Sequence, residues 1–400
     1  MEPEYLGVGE IVLQAVIRFW PTWIALGLTL GLGFVFRDRL GTIGRIYGSP
    51  IGTIGLAIVL FWIFTAFFAD MIAVMDPREQ SFNFLMKKAT PGAIDAENDI
   101  VFLLGGDNLA RDVFSRVVHG SRIVLIIAPA ATIVAYMVGI VLGLPAGYYR
   151  GWMDGLLSFI ANLVLAFPVI LLFYLLVTPE IRQPEWYGLL GFEVPWSIPI
   201  GMAAVFFLFP IVFLCLLWFT KYEQATTKLA VFITATLLIG FWIYIGTVFS
   251  SPYGPISLDP NELNVFAAVV FASSPGVFRI VRGLVMDIKT RDYVAAAQTR
   301  GERPWYIMLW EILPNTRGPL IVDACLRIGY TTILLGTLGF FGLGLEPESP
   351  DWGSMINHGR PFVRLFETAH MALFPALALM SLVLGLNLLA DGLREESLKD

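Results

Sequence analysis

The sequence predicts an all-α protein whose helices cross a membrane several times. Hydrophobic residues make up 57% of the 400 residues and charged residues only 14%, whereas soluble domains contain about 25% charged residues. Several apolar runs reach the roughly 20 residues that a helix needs to cross a bilayer. Composition therefore indicates a polytopic helical membrane protein and excludes a chain of ordinary soluble domains.

Nine apolar segments are candidate membrane spans. The first is the weakest candidate, because it is short and follows an amphipathic stretch. The segments lie near 20–36, 51–74, 123–147, 156–177, 198–219, 229–249, 263–285, 318–344 and 370–391.

Lys and Arg are unevenly distributed between the loops, and this distribution predicts orientation. The loops near 37–45 and 279–317 are rich in arginine, whereas those near 178–197 and 250–262 contain only Arg182. Because basic loops stay in the cytoplasm, we expect the N-terminus outside and the C-terminus inside.

Two long loops are expected on the outer face. The segment 76–122 contains six basic residues, but long loops translocate largely regardless of charge. The segment 345–369 contains Pro347, Pro350 and Gly353, which predict an irregular, ordered loop.

A polar stretch from Asp292 to Asn315 separates two apolar segments. Thr290 or Asp292 can cap a helix N-terminus, and Arg300 in the last turn complements the helix dipole. Gly301 suits the left-handed position that follows a helix. The pattern predicts a short helix, a glycine turn and a second helix.

Two prolines delimit the second helix of this stretch. Pro304 suits the first helical position, and Pro314 ends or kinks the helix before the next span. A stiff, sharply ended helix can dock to a partner and transmit its movement. An amphipathic helix on the membrane surface is the alternative interpretation.

The same stretch resembles the EAA loop of ABC importer permeases, and we call residues 292–315 the EAA-like segment. The family pattern is Glu-Ala-Ala, three residues, Gly, and later a Leu-Pro pair. Ala295 stands in place of the glutamate, so docking is expected through shape and Arg300. The resemblance implies contact with an ATPase at Asp292, Ala295, Ala296, Ala297, Arg300, Gly301, Leu313 and Pro314.

A second stretch, residues 105–122, resembles a motif of dipeptide and oligopeptide permeases, and we call it the signature segment. Ala110 replaces the usual glycine of that motif, and Gly106 the usual threonine. Its matching residues are Asp107, Arg111, Asp112, Val113, Ser115, Arg116, Gly120 and Arg122.

Further sequence motifs of the same subfamily, which we call stations, follow in the expected order. Together they cover roughly 45–177 and 263–396. The chain thus resembles the C-type permease subunit of dipeptide, oligopeptide and nickel importers. The stations are GYYRGWMD from Gly147, AFP from Ala166, FFGLGLEPESPDWGSM from Phe340 and NLLADGLRE from Asn387.

The resemblance implies a six-span core of the type I importer permeases, with about three extra spans. An N-terminal extension (1–45) contains one extra span. The core occupies 46–177, with the outer loop 76–122, and 263–400, with a coupling loop at 287–316. Residues 178–262 form an insertion with two extra spans, interpreted as lipid-facing packing or as a subfamily-specific partner contact.

The resemblance also implies the partners. These are a second homologous permease in a heterodimer, two cytoplasmic ATPases, an extracytoplasmic binding protein and the lipid of a bacterial inner membrane, without nucleic acid. The sequence lacks the G-x-x-x-x-G-K-[ST] loop, so ATP and Mg are expected on the ATPases and no cofactor on this chain. His119, His358 and His370 are scattered, so no metal site is expected.

One charged pair lies within an apolar segment. Asp323 and Arg327 are four residues apart and so share a helix face. A local ion pair is one interpretation, and a role in the translocation path or gate is the other, because charges within the bilayer usually need a functional reason.

Two other classes of function remain as alternatives. Ion-coupled secondary transporters often contain inverted repeats and broken helices at mid-membrane, and no such repeat is visible in this sequence. An intramembrane enzyme would need a catalytic motif such as H-E-x-x-H or G-x-S-x-G, and the sequence contains neither.

Overall fold

The computed structural model describes residues 4–95, 99–168, 170–171, 198–249, 255, 260–343, 348–362 and 368–397. Over these residues, seven helices are long and apolar enough to cross a membrane. A pair bent by 56°, Val8–Arg18 and Trp20–Val35, adds an eighth candidate. The seven helices are Pro50–Phe67, Val113–Tyr149, Gly201–Lys221, Thr226–Phe249, Glu262–Ile288, Arg317–Phe340 and His370–Glu396.

Shorter elements connect these helices. The shorter helices are Thr42–Arg45, Ala69–Ile72, Trp152–Ala166, Asp292–Thr299, Pro304–Tyr306, Leu313–Asn315 and Trp352–Gly359, with a π-helix at Ile307–Ile312. Single 3-10 turns lie at Arg37–Arg39, Ile46–Gly48, Phe84–Met86 and Arg360–Phe362, and three strands at Glu4–Tyr5, Ala93–Asp95 and Ile100–Phe102.

The all-α membrane fold predicted from the sequence is confirmed. Two predicted spans differ in extent. The helix that corresponds to the fourth, Trp152–Ala166, has 15 residues, and most of the remaining segment to 177 lies outside the described residues. The third span is part of a helix that begins at Val113, so residues 113–122, the last part of the predicted outer loop, are helical.

The chain forms two compact units, residues 1–129 with 322–400, and residues 130–321. In the first unit, Pro50–Phe67 packs along His370–Ser397. A side chain at Gly55 or Gly392 would collide with the backbone of the facing helix. Small residues let membrane helices approach this closely.

In the second unit, three glycines at four-residue spacing bring two long helices together. A Cβ at Gly139 would lie 2.5 Å from Val277 Cγ1, and one at Gly147 would lie 2.8 Å from the Arg282 carbonyl. Gly143 faces Val281 in the same way. Because Lys289 follows the second helix directly, this packing also places the start of the EAA-like segment.

A small antiparallel sheet in the first unit includes the strand Glu4–Tyr5. Glu4–Tyr5 pairs with Ala93–Asp95, which pairs with Ile100–Phe102. A sheet cannot continue across a bilayer, because its backbone groups would lose their hydrogen-bonding partners there. The N-terminal strand and the loop before Val113 therefore lie on the same side of the membrane.

Candidate functional site

The EAA-like segment begins with the helix Asp292–Thr299. Its N-cap is Arg291, and no side chain caps it. The hydroxyl of Thr290 instead donates to the Asp287 carbonyl at 3.3 Å. The expected cap by Thr290 or Asp292 is therefore wrong, although Asp292 lies in the first turn, where its charge favours the helix dipole.

This helix has one buried face and one exposed face. Val294 and Ala297 are fully buried on the side that packs against Ile307–Ile312. Asp292, Ala295 and Ala296 are exposed. Of the three alanines predicted to meet a partner, Ala295 and Ala296 are thus accessible, and Ala297 belongs to the support beneath them.

Gly301 makes the turn that the sequence predicts. Its φ is +79°, a left-handed conformation that costs other residues about 1–2 kcal/mol. Gly301 N–H donates to the Gln298 carbonyl at 3.0 Å, and Glu302 N–H to the Ala297 carbonyl at 3.2 Å. This paired pattern closes the helix end as a Schellman motif.

The second half of the segment contains a turn that was not predicted. After Pro304–Tyr306, residues Ile307–Ile312 form a π-helix, and Pro314 lies in the last helical turn, Leu313–Asn315. Proline lacks an N–H and crowds the carbonyl four residues earlier, which favours a wider turn before it. Asn315 then donates its side-chain amide to the Glu311 carbonyl at 2.6 Å.

Arg300 links the two halves of the segment. Its Nη2 lies 2.8 Å from Glu311 Oε1, and its Nε lies 3.8 Å from Glu302 Oε1. Sequence reasoning assigned Arg300 to partner docking and missed Glu311. The guanidinium is still half exposed, so the pair orients it at the surface.

The GYYRGWMD station holds the start of the segment. Lys289 Nζ donates to the carbonyls of Gly147 and Tyr148, each at 3.0 Å, and so caps the C-terminus of Val113–Tyr149. Gln298 Nε2 donates to the Tyr148 hydroxyl at 3.1 Å. Arg282 forms a bidentate pair with Asp154, with Nη2 to Oδ2 at 2.8 Å. The sequence showed these anchoring residues only as part of a family motif and did not indicate which residues of the chain they would contact.

The signature segment is, by contrast, a buried polar cluster. Asp107 Oδ2 accepts from Arg111 Nε at 2.7 Å, and its Oδ1 accepts from the backbone N–H groups of Leu109 and Arg111. The Arg111 and Asp107 side chains are 3% and 12% exposed. Buried charges are tolerated only when they are paired and hydrogen-bonded in this way.

Arg116 ties the signature segment to distant parts of the chain. Its side chain is 1% exposed, and its Nε lies 3.9 Å from Asp107 Oδ2. It donates to the carbonyls of Pro77 at 2.9 Å, Glu348 at 3.3 Å and Ser349 at 3.0 Å. One guanidinium therefore connects its own helix to two other backbone segments, at Pro77 and at residues 348–349.

Asp112 starts the long helix at Val113. It accepts from Ser115 N–H at 2.8 Å and from the Ser115 hydroxyl at 2.6 Å, as helix caps do. Burial raises the pKa of the Asp112 carboxyl to about 6. Ser115 Oγ in turn accepts from the backbone N–H groups of Val74 and Met75.

The FFGLGLEPESPDWGSM station packs on the signature segment. Trp352 is fully buried and donates its indole N–H to the Val117 carbonyl at 2.9 Å. A Cβ at Gly120 would lie 2.5 Å from Trp352 Nε1, which accounts for the glycine. Asp351 caps the helix Trp352–Gly359, and burial raises its pKa. Residues 344–347 of this station lie outside the described residues.

Comparison with known proteins decides the family. Residues 139–395, which include the EAA-like segment, match the family described as binding-protein-dependent transport system inner membrane component. The chain belongs to this family. It is a multi-pass membrane protein and a permease subunit of an ABC importer.

Curated relatives of this permease agree with the family match. The chain is 30% identical to the glutathione transport system permease protein GsiD of Pectobacterium atrosepticum, over 73% of this chain and 70% of the relative. It is 28% identical to the di/tripeptide transport system permease protein DppC of Pseudomonas aeruginosa, over 85% of each chain. The resemblance to C-type peptide permeases is thereby confirmed.

The charged pair in the eighth predicted span forms within one helix of the permease. Arg327 Nε donates to Asp323 Oδ2 at 2.6 Å, and both side chains are less than one-fifth exposed. The local ion pair is therefore present, and the gate role stays a prediction. Two of the three histidines have defined contacts: His119 contacts Asp70 at 3.2 Å and His370 contacts the Gly106 carbonyl at 3.1 Å.

Proposed function

We propose that the permease imports peptides or related small solutes across a bacterial inner membrane and is driven by two separate ATPase subunits that dock on the EAA-like segment. The exposed face of Asp292–Thr299 supports this proposal most directly. It presents Asp292, Ala295 and Ala296 on a helix whose opposite face is buried and whose end is closed by Gly301. A low, stiff surface of this kind suits a partner's groove.

The buried support explains how movement can be transmitted. The EAA-like segment is fixed through Lys289 and Gln298 to residues 147–148, and it continues into the helix Arg317–Phe340. A displacement of the segment by an ATPase therefore reaches long helices directly. We propose that the helices alternate between two arrangements, with ATP binding and hydrolysis on the partner, together with Mg, biasing the equilibrium.

The first unit supports the proposed orientation. The strand Glu4–Tyr5 lies on the same side of the membrane as the loop before Val113. The helix Pro50–Phe67 runs from that side to its other end at Ser49. The Ser49 hydroxyl donates to Glu395, close to the C-terminus, at 2.8 Å. The two termini are therefore on opposite membrane faces if Pro50–Phe67 crosses the bilayer. With the arginine-rich loops inside, the N-terminus is outside.

We assign the remaining partners by the same reasoning. The buried cluster of the signature segment supports an ordered outer surface for the binding protein, and a second homologous permease completes the pathway as a heterodimer. This chain itself is proposed to bind no ATP, metal or other cofactor. Relatives named for glutathione, dipeptides and di/tripeptides favour small peptide-like solutes.

Co-purification tests the docking proposal. We expect ATP-hydrolysing subunits to co-purify with the tagged wild type, to be lost with Ala296→Trp, and to remain with the control Asp38→Trp, whose side chain is 93% exposed in another arginine-rich loop. Equal retention by Ala296→Trp would contradict docking at this face. Uptake driven by a proton gradient, without any ATPase, would favour the secondary-transporter alternative.

The proposed gate has its own test. Asp323→Asn keeps the shape of the side chain and removes its charge, which leaves Arg327 without its ionic partner. We expect slower uptake in proteoliposomes that contain the full complex, with unchanged assembly. Normal uptake would reduce this pair to a local stabilising contact.

A further inference from the structure

The insertion contacts the EAA-like segment directly. Its described part contains the helices Ile198–Phe206, Leu208–Lys221 and Thr226–Phe249. We call residues 220–225, at the tip between the last two helices, the insertion hairpin. The hairpin and residues 301–310 of the EAA-like segment belong to the same compact unit. Packing against lipid alone would give the hairpin no polar contact with this segment.

Two polar contacts join the hairpin to the second half of the EAA-like segment. Glu223 Oε1 lies 2.6 Å from Arg303 Nη2. The Trp310 indole N–H donates to the Thr220 hydroxyl at 2.9 Å, and Thr220 is buried. Lys221 Nζ also lies 5.7 Å from the centre of the Trp310 ring, within the range of a cation–π interaction.

The two helices that flank the hairpin are held together by stacked rings. Trp218 of the first helix and Tyr222, which follows it, both stack on Phe232 of the second helix, with ring centroids 4.6 and 5.1 Å apart. Trp218 also donates its indole N–H to the Thr236 hydroxyl at 3.1 Å. A stack of three rings together with a hydrogen bond between helices keeps the two helices in register.

A cleft opens beside these contacts. A polar cleft of 580 Å³ lies between the hairpin and the turn at Gly301, and its lining includes Gln224, Glu302 and Tyr306. The hairpin therefore holds the segment at two positions, Arg303 and Trp310. Two separated points fix the orientation of the segment, whereas a single point would leave it free to rotate.

We propose that the insertion hairpin is a brace that sets the orientation of the EAA-like segment for its ATPase partner. Glu223 and Thr220 are its positioning residues. The helices of the insertion then move together with the EAA-like segment and carry its displacement into the membrane. The brace rests on the proposed function, because orientation matters only if a partner docks on Asp292–Thr299.

A charge-exchange cycle tests the ion pair. Glu223→Arg and Arg303→Glu each place like charges together, whereas the double variant restores the attraction in reverse. In proteoliposomes that contain the full complex, we expect solute imported per ATP hydrolysed to fall in each single variant and to recover in the double variant. The control is Lys228→Glu, an exposed charge on the same pair of helices, which should leave this ratio unchanged.

The buried contact has a conservative variant. Thr220→Ser keeps the hydroxyl that accepts from Trp310, and Thr220→Val removes it at similar size. We expect Thr220→Ser to preserve the amount of solute imported per ATP hydrolysed and Thr220→Val to lower it. Equal effects of serine and valine, or a double variant no better than either single charge variant, would overturn the brace.

Amide hydrogen exchange gives a readout without any ATPase. In Glu223→Arg we expect exchange in residues 292–302 to quicken about two- to fivefold, in keeping with the modest strength of an exposed ion pair, and to recover in the double variant. Unchanged exchange in those residues overturns the brace even if the ATPases dock as proposed. Altered exchange in a chain that recruits no ATPase would instead show that the hairpin holds the segment and would refute the docking.

Discussion

The signature segment and the EAA-like segment use charged residues in opposite ways. In the signature segment, Arg111 and Arg116 are buried and held by carboxylate and carbonyl oxygens. In the EAA-like segment, Arg300 and Arg303 are more than half exposed and each is paired with a glutamate. Buried pairs are costly to break, whereas exposed pairs contribute little and adjust easily. The first segment is therefore built as a fixed block and the second as a surface whose charged pairs can rearrange.

Removing one arginine from each segment should show the largest difference. Arg116→Ala leaves three carbonyl oxygens without their donor, so we expect the free energy of unfolding to fall by about 3–5 kcal/mol. Arg300→Ala should cost less than about 1 kcal/mol, because its pair is exposed. Denaturation of both variants in the same detergent measures the difference, and equal costs would remove the distinction between the segments.

Replacing a glycine by alanine should have the next-largest effect on stability. Gly301→Ala forces an alanine to φ +79° and should destabilise the turn by about 1 kcal/mol, since some strain is offset by a less flexible unfolded chain. Gly283→Ala is the matched control, because Gly283 is an exposed helical glycine and both sites have open space. We expect it to stabilise the helix by about 0.5–1 kcal/mol. Hydrogen exchange around each site reports the sign, and a stabilising Gly301→Ala would contradict the conformational argument.

Charge reversal at Arg300 should affect coupling more than stability. Arg300→Glu places a carboxylate against Glu302 and Glu311, which should cost about 0.2–1 kcal/mol at an exposed site. We nevertheless expect the bound ATPase to decrease, because the orientation of the exposed face changes. The measurement is ATPase retained per purified permease. Full retention with normal uptake would remove Arg300 from the docking surface.

The smallest effect is expected at Ala110 in the signature segment. Its φ is +60°, so glycine would relieve about 1–2 kcal/mol of strain. Ala110 is also buried, and losing its methyl group costs about 0.8 kcal/mol, with a similar cost from the freer unfolded chain. We expect Ala110→Gly to leave the unfolding free energy nearly unchanged. A clear stabilisation would show that the methyl group contributes nothing to the packing.

The local features of the EAA-like segment were accessible from sequence. Gly301 and Pro304 have conformational preferences that act within one turn, so the helix end and the next helix start where predicted. The π-helix at Ile307–Ile312 was not predicted. Its wider turn arises from Pro314 together with the burial of Ile307, Met308 and Ile312, and that burial is a tertiary effect.

The sequence by itself determined the membrane class, most of the spans and the motifs of the family, because hydrophobicity and turn preferences act over short stretches of chain. Only the tertiary structure decided which motifs meet. Arg116 reaches Ser349, 233 residues away, and Glu223 of the insertion reaches Arg303. Such contacts depend on how helices pack, and neither hydropathy nor local spacing encodes the distance between residues so far apart in the chain.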